Sequence, residues 1–330
     1  MGEKITTIQD IADRLKITRS TVSRALSDSP RISDKTKKKV REIAKELNYV
    51  PNTLASNLRK GKSFTIAYVV PDISNPFFAK IGRLIESIAL KEGYFLLVGS
   101  TDEDAKKEEA LINNLMNRQI DGLVLASTKV NSKVVKNLVD RNFPLILFDR
   151  VDEKVDGNYV LVENEQSMQK ATESLILQGC KKLGLLSITP ELYPLNARIA
   201  GFKKALESNH FEINTDLIRK VDNNNIKEST HAEMAYLIEQ EVDGVVFTNN
   251  TMASQAIWNV NMYYKDLAEK LKFASFDNLE LFDYSLPKIT SIAQPIEFIA
   301  RNIAHMLLDL MDKKEMQVKK LVLEPNLIKR

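Results

Sequence analysis

The chain has 330 residues, 44% of them hydrophobic, which calls for two or three domains with substantial cores rather than one. A single cysteine, Cys180, excludes an internal disulfide framework. No apolar run approaches the roughly 18 residues needed to span a bilayer, and "MGEKITTIQD" lacks an apolar signal core, so a cytoplasmic protein without a membrane partner is expected. The formal net charge of +3 hides an asymmetry: residues 1–62 carry 15 Lys+Arg against 7 Asp+Glu, whereas the other 268 carry 32 against 37. A basic module on an acidic body is the footprint of a nucleic-acid-binding head, with the solvated face of an ordinary helical domain as the lesser reading of charge alone.

In chain order, Thr7 and Asp10 form a capping pair for a first helix in which Ile8, Ile11, Ala12 and Leu15 recur at helical spacing. After a break at Lys16 and Ile17, Thr18 caps a second helix. Its Val22, Ala25 and Leu26 fall on one face, to be buried, with Ser20, Ser23, Arg24 and Ser27 opposite and Arg19 projecting from the first turn. Pro30 follows as a stop. Ser33 caps a third helix, Asp34 to about Leu47, whose Val40, Ile43, Ala44 and Leu47 complete a small core. Two short helices joined by a tight turn, with a third behind, make a helix-turn-helix, in which the second helix enters the DNA major groove. Arginine bonds a guanine edge bidentately, and serine and threonine serve several bases, which accounts for an outward face that helix propensity does not favour.

"YVPNTLASNLRKGKS" reads as a helix of about two turns, started by Pro51 and Asn52 and stopped at Gly61, with Leu54, Ala55 and Leu58 as its apolar stripe. So short a helix is ordered mainly against a partner. Leu58 suits a wedge into the DNA minor groove, or the leucines dock on a neighbouring domain.

Through "TIQDIADRLKITRSTVSRAL" and "RISDKTKKKVREIAKELNYVPNTLASNLRKGKS", residues 6–62 resemble the DNA-binding head of the LacI/GalR family of bacterial transcriptional regulators. The resemblance implies base reading by Arg19, Ser20 and Arg24. It implies phosphate positioning by Thr18, Thr21 and Ser23, minor-groove insertion by Ala55 and Leu58, and Thr7 and Asn52 among the other DNA-facing residues. It divides the chain into a helix-turn-helix domain (residues 1–50), a hinge helix (51–62) and a two-lobed effector-binding and dimerisation domain (63–330).

Beyond Ser63, "FTIAYVV", "YFLLVGS", "DGLVLAS", "LILFDR", "LGLLS", "DGVVFTN" and "LKFASFD" are short apolar runs between helical patterns, as buried parallel strands in α/β units are. "QIDGLVLAS" at Gln119 is echoed by "EVDGVVFTN" at Glu241, and the aspartates ending "LILFD" and "FASFD", Asp149 and Asp277, lie at a similar offset. The expected fold is therefore an α/β body of two similar Rossmann-like lobes, with strand C-termini facing a ligand cleft, and an all-α head. The family resemblance implies the same body, similar to periplasmic sugar-binding proteins.

In "PDISNPFF" that resemblance puts Phe77 and Phe78 against a sugar ring and Asp72 and Asn75 on its hydroxyls; read bare, such phenylalanines are more often core. Arg198 in "NARIAGF" matches a ligand-binding arginine, though a lone helical arginine is usually a solvated ion-pair partner. Asp149, Asn249 and Asp277 end strands, and Gln294 sits in "TSIAQP", which resembles a crossover strand; carboxylates and amides there can chelate hydroxyls. "VLEPNLIKR" resembles the closing strand. Asn250, Glu163 and Cys180 stand where the family usually has aspartate, aspartate and histidine, departures that bear on the ligand rather than the fold.

No nucleotide, metalloprotease or nucleophile-elbow motif is present, and His210, His231 and His305 lack metal-ligand spacing, so no enzyme activity, metal or cofactor is expected. The expected molecule is a homodimer that binds a pseudo-palindromic double-stranded DNA operator under the control of a small effector of the carbohydrate class. It is a repressor, or an activator or co-repressed regulator of the same architecture; a sugar-binding protein without a DNA role would leave the basic head unused.

Overall fold

The computed structural model describes residues 6–50, 62–128, 133–151, 156–189, 193–312 and 318–330. The expectations for Asn52, Ala55 and Leu58 fall outside them. Contacts divide the chain into two units, Met1–Ser63 and Phe64–Arg330.

Among its described residues the first unit holds three helices, α1 (Ile8–Leu15), α2 (Arg19–Leu26) and α3 (Asp34–Glu46). Thr7 and Asp10 form a reciprocal capping box: Asp10 Oδ2 accepts from the Thr7 amide at 2.7 Å while the Thr7 side chain accepts from the Asp10 amide. Lys16 turns left-handed at φ 53° and ends α1, Thr18 caps α2 through the Thr21 amide at 3.2 Å, and Ser33 caps α3 through Thr36 at 3.3 Å. Each cap satisfies an amide that the first helical turn leaves unpaired. Ile11, Ala12, Val22, Ala25, Val40 and Ala44 form the core. Leu26, Ile43 and Leu47 pack on it half-buried, Leu26 because it is the last residue of its helix. Left-handed Asp28, φ 55°, turns the chain after α2 before Pro30 is reached.

The second unit is two α/β lobes of one plan. Its elements are β1 (Thr65–Val70), α4 (Pro76–Lys91), β2 (Phe95–Ser100), α5 (Ala105–Asn117), β3 (Gly122–Leu125), α6 (Lys133–Asp140), β4 (Leu145–Phe148) and β5 (Asn158–Val162). There follow α7 (Glu165–Leu177), β6 (Leu183–Thr189), α8 (Tyr193–Ser208), β7 (Ile218–Asp222), α9 (Ile226–Glu239), β8 (Gly244–Phe247), α10 (Asn250–Tyr263) and β9 (Lys272–Phe276). The last are α11 (Leu281–Tyr284), β10 (Ile289–Ala293), α12 (Ile296–Met311), β11 (Lys320–Leu323) and β12 (Asn326–Ile328). Among the described residues the sheets run β2-β1-β3-β4-β5-β11 and β7-β6-β8-β9-β10-β12, parallel except for β12. The two strand orders are the same permutation, so both lobes are doubly wound in one sense.

The sequence echo has a physical counterpart. Gln119 and Glu241 both adopt positive φ, 56° and 57°, just before the third strand of each lobe. Asp121 then accepts from the Thr65 amide, and Asp243 from the amides of Lys181 and Lys182, so each lobe ties its third strand to its first in the same way. The chain passes between lobes three times: from β5 into α7, which packs on β9, β10 and β12; from β10 into α12, which packs on α4, β3, β4 and β5; and from β11 to β12.

Two expectations need correcting. "YFLLVGS" is not a buried strand: β2 is the sheet's edge, with Phe95 68%, Leu97 40% and Val98 50% exposed. "VLEPNLIKR" is not one closing strand but parts of two, broken at Glu324 and Pro325, one in each sheet, because proline has no amide for the ladder and its ring stops the first strand.

Candidate functional site

Two surfaces carry the candidate residues. On the head, Thr7, Thr18, Arg19, Ser20 and Arg24 are exposed, while Thr21 and Ser23 are half-buried. The Thr18 hydroxyl lies 2.9 Å from those of both Ser20 and Thr21, a hydroxyl cluster at the positive end of α2. Arg14 pairs with Glu46, and Arg41 with Asp28. The side chains of Arg19 and Arg24 make no hydrogen bond or ion pair among the described residues, which leaves two uncompensated cations on the helix that carries the hydroxyl cluster.

Between the two lobes, at the C-terminal ends of both sheets, lies a cavity of about 380 Å³. It brings together all nine residues expected there: Asp72, Asn75, Phe77, Phe78, Asp149, Arg198, Asn249, Asp277 and Gln294. Asn75 caps α4 by accepting from the Phe77 amide at 3.0 Å, with Pro76 at the first helical position. Phe77 and Phe78 are packed in the hydrophobic core and line the cavity as well. Asp149 and Asp277 end β4 and β9 at φ 63° and 67°, the same left-handed turn in each lobe, which aims each carboxylate off its strand end. Asn249 caps α10 through the Met252 amide at 3.1 Å.

Arg198 is no solvated arginine. It is 5% exposed and lies 3.5 Å from the centre of the Phe276 ring; its Nε donates to Asn164 Oδ1 at 2.9 Å and its Nη1 to the Thr248 carbonyl at 2.8 Å. Gly201, one turn on, permits this: a Cβ there would come within 2.1 Å of the Glu165 carbonyl, so only glycine lets α8 lie this close to α7. Burial lowers the pKa of Arg198, opposed by Asp277 and Asp149. Burial raises that of Asp277, opposed by Arg198 and by the 2.6 Å hydrogen bond donated by Gln294 Nε2. Gln294 Oε1 is buried without a partner among the described residues, leaving an acceptor suited to a ligand hydroxyl. Because Asn164 serves Arg198 and the Val162 carbonyl, it does not cap α7; Glu163 reaches the Ser167 amide instead, at 2.9 Å. This accounts for a longer acid at that position.

Sequence reasoning missed Asp102, Glu103, Arg150, Leu195, Asn223, Asn224 and Thr251, which also line the cavity. Arg150 directly follows Asp149 and donates from Nη1 and Nη2 to the two Glu103 oxygens at 2.8 and 3.0 Å. Burial disfavours its charge, but Asp149 and Glu103 outweigh that and raise its pKa. The signal was available only for Arg150, since an acid in "TDEDAKKEE" reads as a helix cap on a solvated face.

Elsewhere, Cys180 is buried, its thiol pushed up to about 11 chiefly by burial, which makes it inert. His231 bonds Asn259 and packs on Tyr263, while His210 and His305 are exposed. Among the described residues no His, Cys, Asp and Glu cluster could hold a metal, and no helix is long and apolar enough to cross a membrane.

The model for bacterial regulatory proteins of the lacI family matches residues 7–52, and that for a periplasmic binding protein domain matches residues 66–315. The ribose operon repressor of Halalkalibacterium halodurans is 29% identical over 99% of this chain and 96% of its own. Catabolite control protein A of Priestia megaterium is 30% identical over 93% of each. The crystal structure of the lac repressor dimer bound to operator and an anti-inducer superposes with TM-score 0.84 over 99% of this chain and 98% of that one, at 21% identity.

Proposed function

The chain belongs to the lacI family of bacterial regulatory proteins, and from that premise we propose how its residues regulate. It is a DNA-binding transcriptional regulator. In our reading residues 1–50 bind DNA, 51–62 form the hinge and 63–330 bind the effector and dimerise. Arg19, Ser20 and Arg24 read base edges in the major groove, while Thr7, Thr18, Thr21, Ser23 and Asn52 position phosphates and Ala55 and Leu58 enter the minor groove. It acts in the cytoplasm, as a repressor and without enzymatic turnover.

The effector is a carbohydrate held in the interlobe cleft, with ribose the first candidate by likeness to the ribose operon repressor. The observation that carries this is the convergence of Asp149, Arg198, Asn249, Asp277 and Gln294 on one cavity walled by Phe77 and Phe78. Apolar walls take the C–H faces of a sugar, and paired carboxylate, amide and guanidinium groups take its hydroxyls.

The functional unit is a homodimer that reads a pseudo-palindrome. Supporting this, each lobe exposes apolar side chains that a monomer has no use for: Phe95, Leu97 and Val98 on the edge strand of one, and Leu281, Tyr284 and Leu286 on the other. Effector binding changes the relation between the lobes and thereby the population competent for DNA.

The test is selection of duplexes from a random library, followed by fluorescence anisotropy against salt with and without D-ribose. We expect a two-fold-symmetric site whose affinity falls by about 10³–10⁵ between 50 and 200 mM salt, and which the sugar shifts. Absence of any selected sequence would refute the DNA-reading assignment of α2.

A further inference from the structure

Of the two arginines in the cleft, one is already fully engaged. Arg150 lines the cavity, yet each guanidinium nitrogen is bonded within its own lobe: Nη1 and Nη2 donate to Glu103 at 2.8 and 3.0 Å, and Nε to Asp149 at 3.2 Å. The two-pronged edge of an arginine is the protein group that best matches a phosphate or carboxylate. Here Glu103 fills it with the same geometry an anionic ligand would use.

The loop is built to hold that carboxylate in place. Asp102 and Glu103 are consecutive left-handed residues, φ 54° and 60°, and each is tied by its side chain, Asp102 to Lys107 and Glu103 to Arg150. Around them the described lining residues include five acids, Asp72, Asp102, Glu103, Asp149 and Asp277, against two arginines and no lysine. Arg198, the other cation, spends Nε and Nη1 on Asn164 and Thr248.

We propose that Glu103 is a specificity-determining residue: by occupying the guanidinium edge of Arg150 it reserves the cleft for an uncharged, unphosphorylated polyhydroxy ligand. The proposal rests on the reading of the cleft as the effector site and narrows it. A sugar offers hydroxyl hydrogens to Asp149, Asp277 and the unpaired Gln294 Oε1, all of which accept. A phosphorylated sugar must displace Glu103 and then lie among the remaining acids, the arrangement that rejects a wrong ligand by like-charge contact.

The test is calorimetric titration of the full-length wild type and Glu103→Gln with D-ribose, D-ribose 5-phosphate and inorganic phosphate. The wild type should take neither phosphate compound. Glu103→Gln should gain affinity for both by about tenfold or more, the scale of a charge-assisted pair set free, and adding Arg150→Met should abolish that gain. The proposal falls if the wild type binds ribose 5-phosphate as tightly as ribose, or if a Glu103→Gln protein with an unchanged circular dichroism spectrum gains nothing. Should that variant fail to fold, the wild-type titrations decide alone. Gained phosphate binding without any ribose binding supports the role of Glu103 while removing ribose as effector, so the two readings fail separately.

Discussion

Arg198 Nε donates to Asn164 Oδ1 at 2.9 Å, joining the cleft to the start of the first chain crossing between the lobes. Whatever moves Arg198 therefore acts on the strand-to-helix junction that relates one lobe to the other. Arg198→Ala should abolish the effector-induced change in operator affinity, while affinity without effector stays within about threefold, a difference of under 1 kcal/mol. Arg198→Lys should not rescue the response, since a lysine cannot serve Asn164, Thr248 and a ligand in one plane. Anisotropy with and without effector reads both, and an Arg198→Ala protein that still responds normally would place the effector elsewhere.

Gly201 sets the approach that makes this bond possible. Because a Cβ there would meet the Glu165 carbonyl at 2.1 Å, Gly201→Ala must push α8 off α7. We expect a loss of about 1–3 kcal/mol in unfolding free energy, the usual cost of overpacking, together with a weakened effector response. Urea unfolding at constant slope would measure the first; an unchanged midpoint would mean that the helices separate without cost.

Asp277 links cleft chemistry to pH. Its pKa is raised above the ordinary 3.8, first by burial, so only between 3.8 and that raised value does the folded state hold a proton that the unfolded state has released. The sign follows: this group favours folding least at neutral pH, and the penalty disappears as pH falls through the raised value toward 3.8. Asp277→Asn should therefore melt higher than wild type at pH 7, with the advantage shrinking in acid, and should lose effector binding. Parallel melts from pH 4 to 8 check this; an advantage independent of pH would assign the effect to packing rather than to the carboxylate.

How much of this was legible in the sequence depends on whether the signal was local. Caps at Thr7, Thr18 and Ser33, the helical spacing of Ile11 and Val22, and the paired "DG" and strand-end aspartates are written within a few residues, and these gave the head and both lobes. Glu103 was illegible because its role depends on Arg150, 47 residues away in sequence, and nothing in an acidic run says which acid turns inward. The exposure of β2 was hidden for a similar reason. An apolar edge strand and an apolar central strand read alike until strand order is known.

In the head, stability and reading separate. Ser33→Ala removes the cap of α3 and should cost about 1 kcal/mol of stability without changing which sequence is preferred. Arg24→Ala removes an unpaired cation from α2 and should weaken binding to the selected site by about 1–3 kcal/mol while relaxing preference at one base pair. Melting curves and a binding series over single-base variants separate the two. Equal losses on every duplex would make Arg24 a phosphate contact.

The exposed edge strand gives the sharpest test of assembly. Phe95, 68% exposed, and Val98, 50% exposed, offer apolar area on β2 whose burial against a second copy is worth roughly 25 cal/mol per Å². A charge placed there must either shed its water or hold the two copies apart. Phe95→Asp combined with Val98→Asp should leave the monomer folded, because neither side chain belongs to the buried core, and should shift sedimentation from dimer to monomer at micromolar concentration. Operator affinity should then fall steeply, since one head contacts only one half-site. A doubly substituted protein that still sediments as a dimer would move the interface away from β2.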